Sequence, residues 1–291
     1  MPSDLTAGLE YNRDRLKDNM WGYNRHTDQT VNIYSAFLQN EWKNDRWGIL
    51  IGGRLDKHNM VDNVIFSPRA NLRFNPTQNI NLRLSYSSGF RAPQAFDEDM
   101  HIENVGGTVA MIERAKDLKE EKSQSFSVSA DMYHRFGAFQ TNLLIEGFYT
   151  RLTDVFVLGK PYDRGDGILV KTRSNGPGAK VMGLTLEGKV AYLSILQIQA
   201  GLTLQRSRYD EPHKWHDDAP AEKKIFRTPD TYGYFTATCT PIKPLSIALS
   251  GPIPAGCWCN VWISPPRMPN WVKCLKEKRK QSEHLVSLIW E

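Results

Sequence analysis

The sequence has almost no helical periodicity and no long apolar run. No stretch of 18 apolar residues occurs, which excludes a transmembrane helix. Cysteine is scarce: Cys239, Cys257, Cys259 and Cys274 are the whole set. None of them forms a CxxC pair, and three lie in the last 35 residues, so neither a disulfide framework nor a zinc site is expected. The opening MPSDLTAGLEYNRD lacks the apolar stretch of a signal peptide, and read literally it supplies no export route. Charge of one sign does not dominate either. The net charge is +5, of which residues 252–291 contribute +3 through six Lys/Arg and three Asp/Glu, leaving +2 for the rest. That balance does not argue for nucleic acid, and no such partner is expected. Nucleophile-elbow, phosphate-loop and paired-carboxylate spacings are missing, so nothing points to an enzyme and no cofactor is expected.

What is present is alternation with period two. In INLRLSYS, Ile80, Leu82, Leu84 and Tyr86 alternate with Asn81, Arg83, Ser85 and Ser87. FSPRANLRF, SFSVSADMYH, MGLTLEGKVAY and QIQAGLTLQR repeat the pattern, and strands are also expected near 31–42, 46–57, 140–151, 228–240 and 244–250. Many of these segments run about 11 to 15 residues, whereas strands of soluble domains cluster near five or six. At roughly 3.3 Å per residue, a 13-residue strand spans about 43 Å, more than the apolar band of an outer-membrane barrel requires. Short connections near 43–45, 76–78, 137–138, 194–195 and 241–243 alternate with long ones near 57–64, 89–122, 152–178 and 207–227. Up-and-down strands place all the short turns on one side and all the long loops on the other, as transmembrane barrels do. Arginines and glutamates recurring on the polar face suit a wet lumen better than a packed core. The fold class expected is therefore all-β, an antiparallel up-and-down transmembrane β-barrel. A soluble meander or lipocalin-like barrel is the bland alternative.

The stretch YSSGFRAPQAFDEDM is where a strand ends. Gly89 relieves the backbone there. Pro93 cannot donate to the ladder and pushes Ala92 to an extended conformation. Arg91 is a planar five-donor fork able to tie down the acids Asp97, Glu98, Asp99 and Glu103, or to bind an anionic ligand. Beyond it the chain is expected to stay irregular for about thirty residues, on the side where barrel function usually lives. The acids have two readings, a solvated loop paired with Arg91 or oxygen ligands for Ca²⁺. His101, His213 and His216 also fall in outer loops, where a solvated side chain and a haem or cobalt ligand are the two readings. Asp217, Asp218, Lys223 and Lys224 are expected in a solvated loop.

Here a family resemblance enters. GFRAPQAFDED (Gly89, Phe90, Arg91, Ala92 and Pro93 onward) resembles a signature of TonB-dependent outer-membrane receptors found midway through their barrel. DLKEEKSQSFSVS resembles the family's entry to the next strand, with Glu120 where proline is usual. AKVMGLTLEG matches its strand start at Lys180, Gly183 and Glu187, and RTPDTYGYFTATCTP is similar to a late barrel strand. These stretches stand in family order across about residues 5–250. The resemblance implies a barrel of roughly 22 strands with an N-terminal plug whose short box an energised periplasmic protein, TonB, pulls, and ligands such as metal chelates, cobalamin, haem or glycans. The chain shows no plug, no box and no terminal aromatic strand, with about ten to twelve of the roughly 22 strands. The expectation is a partial receptor over residues 1–251, sited in the Gram-negative outer membrane. Its parent would take up a ferric siderophore or cobalamin, with outer-membrane lipid and TonB as partners. A passive porin and a soluble β carbohydrate-binding module are the rival readings.

Residues 252–291 break the pattern. They hold four of the eight tryptophans and three of the four cysteines, with no period and no ligand spacing. The codons implied by these residues, taken one base out of step, force leucine at Cys257–Trp258, valine at Trp258–Cys259, aspartate at Trp262–Ile263 and glycine at Trp271–Val272. These letters suit the family's next strands. A frameshifted, non-native tail is expected from about residue 252, with a divergent native tail as the alternative.

Overall fold

The computed structural model describes residues 1–291 apart from 24, 96–102, 106–107, 166, 215–219, 226–227, 243–244, 254–285 and 291. For 23, 103–105, 108–110 and 286–290 only the backbone is described. The described residues form strands and one 3₁₀ turn, Trp21–Tyr23. The strands are β1 (Ser3–Met20), β2 (Arg25–Lys43), β3 (Trp47–His58), β4 (Ile65–Thr77), β5 (Ile80–Arg91), β6 (Glu103–Val105), β7 (Thr108–Arg114), β8 (Glu121–Phe136) and β9 (Phe139–Thr153). They continue with β10 (Phe156–Leu158), β11 (Tyr162–Asp163), β12 (Leu169–Asn175), β13 (Ala179–Tyr192), β14 (Leu196–His213), β15 (Glu222–Lys224), β16 (Thr231–Ile242), β17 (Leu245–Ile253) and β18 (Val286–Trp290). The long strands hydrogen-bond in the order β1-β2-β3-β4-β5-β8-β9-β13-β14-β16-β17-β18, with β15 added beside β14. β1 to β5 pair antiparallel in succession, as do β14, β16, β17 and β18, in keeping with the up-and-down arrangement expected.

The chain divides into two compact units. In the first (1–128, 148–181 and 208–223), registers place like residues opposite one another. Leu9 pairs with Ala36 and Tyr11 with Tyr34. Ile51 pairs with Asn40 and Ala70, Leu55 with Phe66, and Leu72 with Leu84. One face of β1–β5 is thus an apolar sheet, and it is bare: Leu9 is 87% exposed, Leu5 70%, Phe66 61% and Ile51 55%. Stacked rings border that face. Trp47 and Phe74 lie 4.3 Å apart near the short turns, and Tyr11 and Tyr34 lie 4.9 Å apart toward the long connections.

The other face is polar and internally bonded. Arg54 sits at its centre, donating to Asp56 (2.7 Å), Glu10 (2.9 Å) and the Ser35 hydroxyl (2.7 Å). Ser35 in turn donates to Asp56 at 2.6 Å, so one guanidinium ties β1, β2 and β3 in a single register. The turn from β2 to β3 is closed by Asn44, whose side-chain oxygen accepts from the amides of Arg46 and Trp47.

The second unit comprises 129–147, 182–207 and 224–291. Ile198 opposes Ala237, which opposes Leu249 on one face. On the polar face Tyr234 donates to Glu187 at 2.6 Å, and Gln199 bonds both. The reversal between β8 and β9 is made by Gly137 at φ 58°, a left-handed position that glycine occupies without steric cost. Of residues 252–291, Pro252 and Ile253 end β17, and Val286–Trp290 pair with Leu245–Leu249.

Two sequence expectations are corrected here. The stretch beyond Arg91 is not irregular throughout: its β6 and β7 join β10, β11 and β12 in a second, five-stranded sheet in the order β10-β12-β7-β6, with β11 beside β12. Its β7–β12 pair is parallel, Ala110 opposite Leu169 and Arg114 opposite Arg173. Lys223 and Lys224 lie in the short strand β15 rather than in a loop, with Lys223 exposed as expected.

Candidate functional site

The candidate site lies in the first unit, where the long connections fold over the ends of β2, β3 and β5. Here the chain buries what it exposes elsewhere. Val61, Ile65 and Ala92 form a small core against which Phe90 packs, while Met111 and Val170 of the second sheet are almost wholly buried.

The strand-ending stretch supplies part of the framework. Gly89 remains inside β5 and lies outside the left-handed region, so its role differs from the expected backbone relief. A Cβ there would stand 3.3 Å from the Ser123 hydroxyl, a tight but yielding contact. Arg91 ends the strand with its guanidinium carbon 5.5 Å from the centre of the Phe156 ring, a cation–π contact; the side chains of the acids expected as its partners lie outside the described residues. Ala92 is buried. Pro93, with no N–H, contributes its carbonyl, which accepts from Arg114 Nη1 at 2.9 Å. Asp97, Glu98, Asp99, His101, His216, Asp217 and Asp218 lie outside the described residues, and Glu103 is described in backbone only. His213 ends β14, its ring 5.9 Å from that of Tyr209.

The anchors the sequence did not disclose are Gln29, His58 and Arg114. Buried Gln29 accepts from the amide of Ala95 (2.9 Å) and from Arg114 (2.7 Å). His58 is fully buried, and its Nδ1 accepts from the amide of Met60 at 3.0 Å. That contact leaves Nε2 to donate toward Gln94 at 3.4 Å. Three strands thereby hold both ends of the segment that follows β5. No local pattern announces such residues, since the ties to Gln94, Ala95 and Pro93 and between Gln29 and Arg114 join distant positions.

Beside this framework is a cavity of ≈ 680 Å³. Arg25, His26, Arg114, Lys116 and Arg164 line it, with Glu113 as the one acid among the lining residues. Arg25 is held by Asp18 at 2.8 Å. Arg164 is presented by a turn in which Gly165 (φ 98°) and Gly167 (φ 80°) occupy left-handed positions and Asp163 accepts from the Gly165 amide. Arg25 is thus paired, and among the described lining residues cations still outnumber acids, a balance suited to an anionic occupant. Such a volume fits a small organic molecule or chelate.

A third cluster braces the same unit. Arg151 grips Asp210 through both carboxylate oxygens at 2.8 and 2.6 Å, and Lys180 approaches at 3.4 Å. Lys223 caps the Asp210 carbonyl at 2.7 Å.

The family model described as TonB dependent receptor-like, beta-barrel, matches residues 2–240. Among solved structures, the siderophore receptor PirA from Pseudomonas aeruginosa is similar at TM-score 0.66 and 17% identity, over 85% of this chain and 44% of that one. PirA from Acinetobacter baumannii is similar at TM-score 0.61 and 16% identity, over 86% and 39%. The FrpB iron transporter from Neisseria meningitidis (F3-3 variant) is similar at 0.58 and 14%, over 86% and 40%. The chain thus spans less than half the length of these structures, and at these identities the likeness is one of fold. A search of the curated proteins finds no match.

Proposed function

This chain belongs to the TonB dependent receptor-like β-barrel family, and on that premise we propose that it is the wall and outer-loop segment of an outer-membrane receptor that takes up a ferric siderophore. TonB is the energising partner, and the parent's role is transport rather than catalysis. The apolar face of β1–β5, bordered by stacked rings, fits lipid of the outer membrane, and the polar face with Arg54, Glu10 and Asp56 fits a wet lumen.

One observation supports the ligand class: the described lining of the loop-side cavity holds four cations, one of them paired with Asp18, against the single lining acid Glu113. Ferric catecholates are bulky anions, and the similar structures with named functions handle siderophores or iron. Cobalamin, which lacks that anionic character, is the second choice. The segment works inside a longer receptor. Among the described residues β1 has one hydrogen-bonded neighbour, and unpaired backbone groups in hydrocarbon cost several kcal/mol each. We also hold residues 252–291 to be a translation of the wrong frame, a reading that rests on their composition.

The test is titration of the complete receptor containing this segment with a ferric tris-catecholate. Replacing Lys116 and Arg164 together with glutamine is expected to weaken binding by about tenfold or more, the size of losing charge-assisted contacts. Unchanged affinity in that variant, or equal affinity for an uncharged chelate, would overturn the anionic-ligand reading.

A further inference from the structure

We propose that the apolar face of the β1–β2 hairpin continues, on its long-connection side, into a binding site for phosphate-bearing lipid headgroups, built on Arg13, Arg15 and Lys17. The proposal rests on the membrane reading above.

The sequence RDRLKD alternates in sign as well as in direction. The register pairs Arg13 with Asn32, Arg15 with Thr30 and Lys17 with Asp28. The same ladder pairs Leu9 with Ala36 and Tyr11 with Tyr34. Successive strand residues alternate faces, so the three cations share the apolar face with Leu5, Leu9 and Tyr11. The acids Asp14 and Asp18 turn to the other face, where Asp18 holds Arg25 at 2.8 Å. A merely solvated strand has no reason to sort its charges this way.

Height fits as well. Tyr11 and Tyr34 stack at the edge of the apolar face. Arg13 and Lys17 lie two and six residues beyond Tyr11, about 5 and 15 Å higher for roughly 3.3 Å per residue and about 40° of tilt. That is the depth of lipid headgroups above an aromatic girdle. Lys57, opposite Tyr34, adds a fourth cation on this face, its amine donating to the carbonyls of Val61 and Asp62 at 3.0 and 2.6 Å. The acid on this face of the hairpin is Asp28, which Arg15 engages through both oxygens at 3.1 and 2.8 Å. Arg13 and Lys17 are exposed and make no ion pair among the described residues. Cations beside a lipid surface attract anionic headgroups, each contributing about fivefold in affinity.

The experiment is native mass spectrometry of the complete receptor in mild detergent doped with phosphatidylglycerol or with phosphatidylcholine. Wild type is expected to retain phosphatidylglycerol preferentially. The R13Q/R15Q/K17Q variant is expected to lose that preference by about tenfold or more while binding phosphatidylcholine as before. Thr30→Lys, which adds a cation to the same face, is expected to raise phosphatidylglycerol retention, and it serves if the triple variant does not assemble. Equal retention of the two lipids by wild type, or an unchanged preference in either variant, would overturn the site. A receptor that assembles and takes up its chelate while showing no preference refutes the headgroup site alone. A chain that enters no bilayer refutes the membrane reading instead.

Discussion

Arg114 donates to the side-chain oxygen of Gln29 at 2.7 Å although 85 residues separate them. The same Gln29 oxygen receives the Ala95 amide, so one buried acceptor closes the segment after β5 onto β2. Arg114→Ala would leave Pro93 O and half of the Gln29 acceptor without their donor, at a cost of about 1–3 kcal/mol. Amide hydrogen exchange should accelerate around 92–95 without change in β1–β4. Unaltered exchange would show that the tie does not restrain this segment.

Gly178 lies where a side chain cannot. A Cβ there would stand 2.7 Å from the Asp210 carboxylate and 2.7 Å from the Leu152 carbonyl. Gly178→Ala should push Asp210 from Arg151 and lower stability by about 1–3 kcal/mol, the usual cost of overpacking. Thermal unfolding of the receptor checks this. An unshifted midpoint would mean that β13 moves away freely.

The two faces of β5 should answer differently to the same substitution. Leu84 is half exposed on the apolar face, and Ser85 is opposite Asn71 on the polar one. Leu84→Arg should cost about 2–4 kcal/mol near the bilayer midplane and reduce assembled receptor, while Ser85→Arg should be tolerated. Heat-modifiable mobility in gels reports assembly. Equal tolerance of both would contradict the assignment of faces.

The tail reading is tested at the DNA. Resequencing through codon 251 is expected to find that a single-base change restores an open frame continuing the strands. A confirmed frame with no barrel codons downstream would make the tail native.

The long strands β3, β4, β5, β8, β13 and β14 were legible because each keeps one face apolar, so period two survives in the sequence. β1 was missed because its alternation changes character midway: past Tyr11 the apolar face carries Arg13, Arg15 and Lys17, while Leu16 turns to the polar one. The second sheet was missed for another reason. Its strands are short, and residues such as Val170 and Met111 are buried in contacts among loops, which impose no alternation. Of the site, the end of β5 at Arg91-Ala92-Pro93 was readable from proline chemistry. Its restraint by Gln29, His58 and Arg114 was not, because hydrogen bonds between distant segments leave no local trace. Arg91 illustrates the limit: the Phe156 ring beside it lies far along the chain and left no trace in the local sequence.

Energy dependence tests the central claim most directly. Cells carrying the complete receptor, with iron-55 bound to a catecholate siderophore, should accumulate iron, and a protonophore or loss of TonB should abolish accumulation while leaving surface binding intact. Accumulation that persists without TonB or a proton gradient would identify a passive pore and contradict the account.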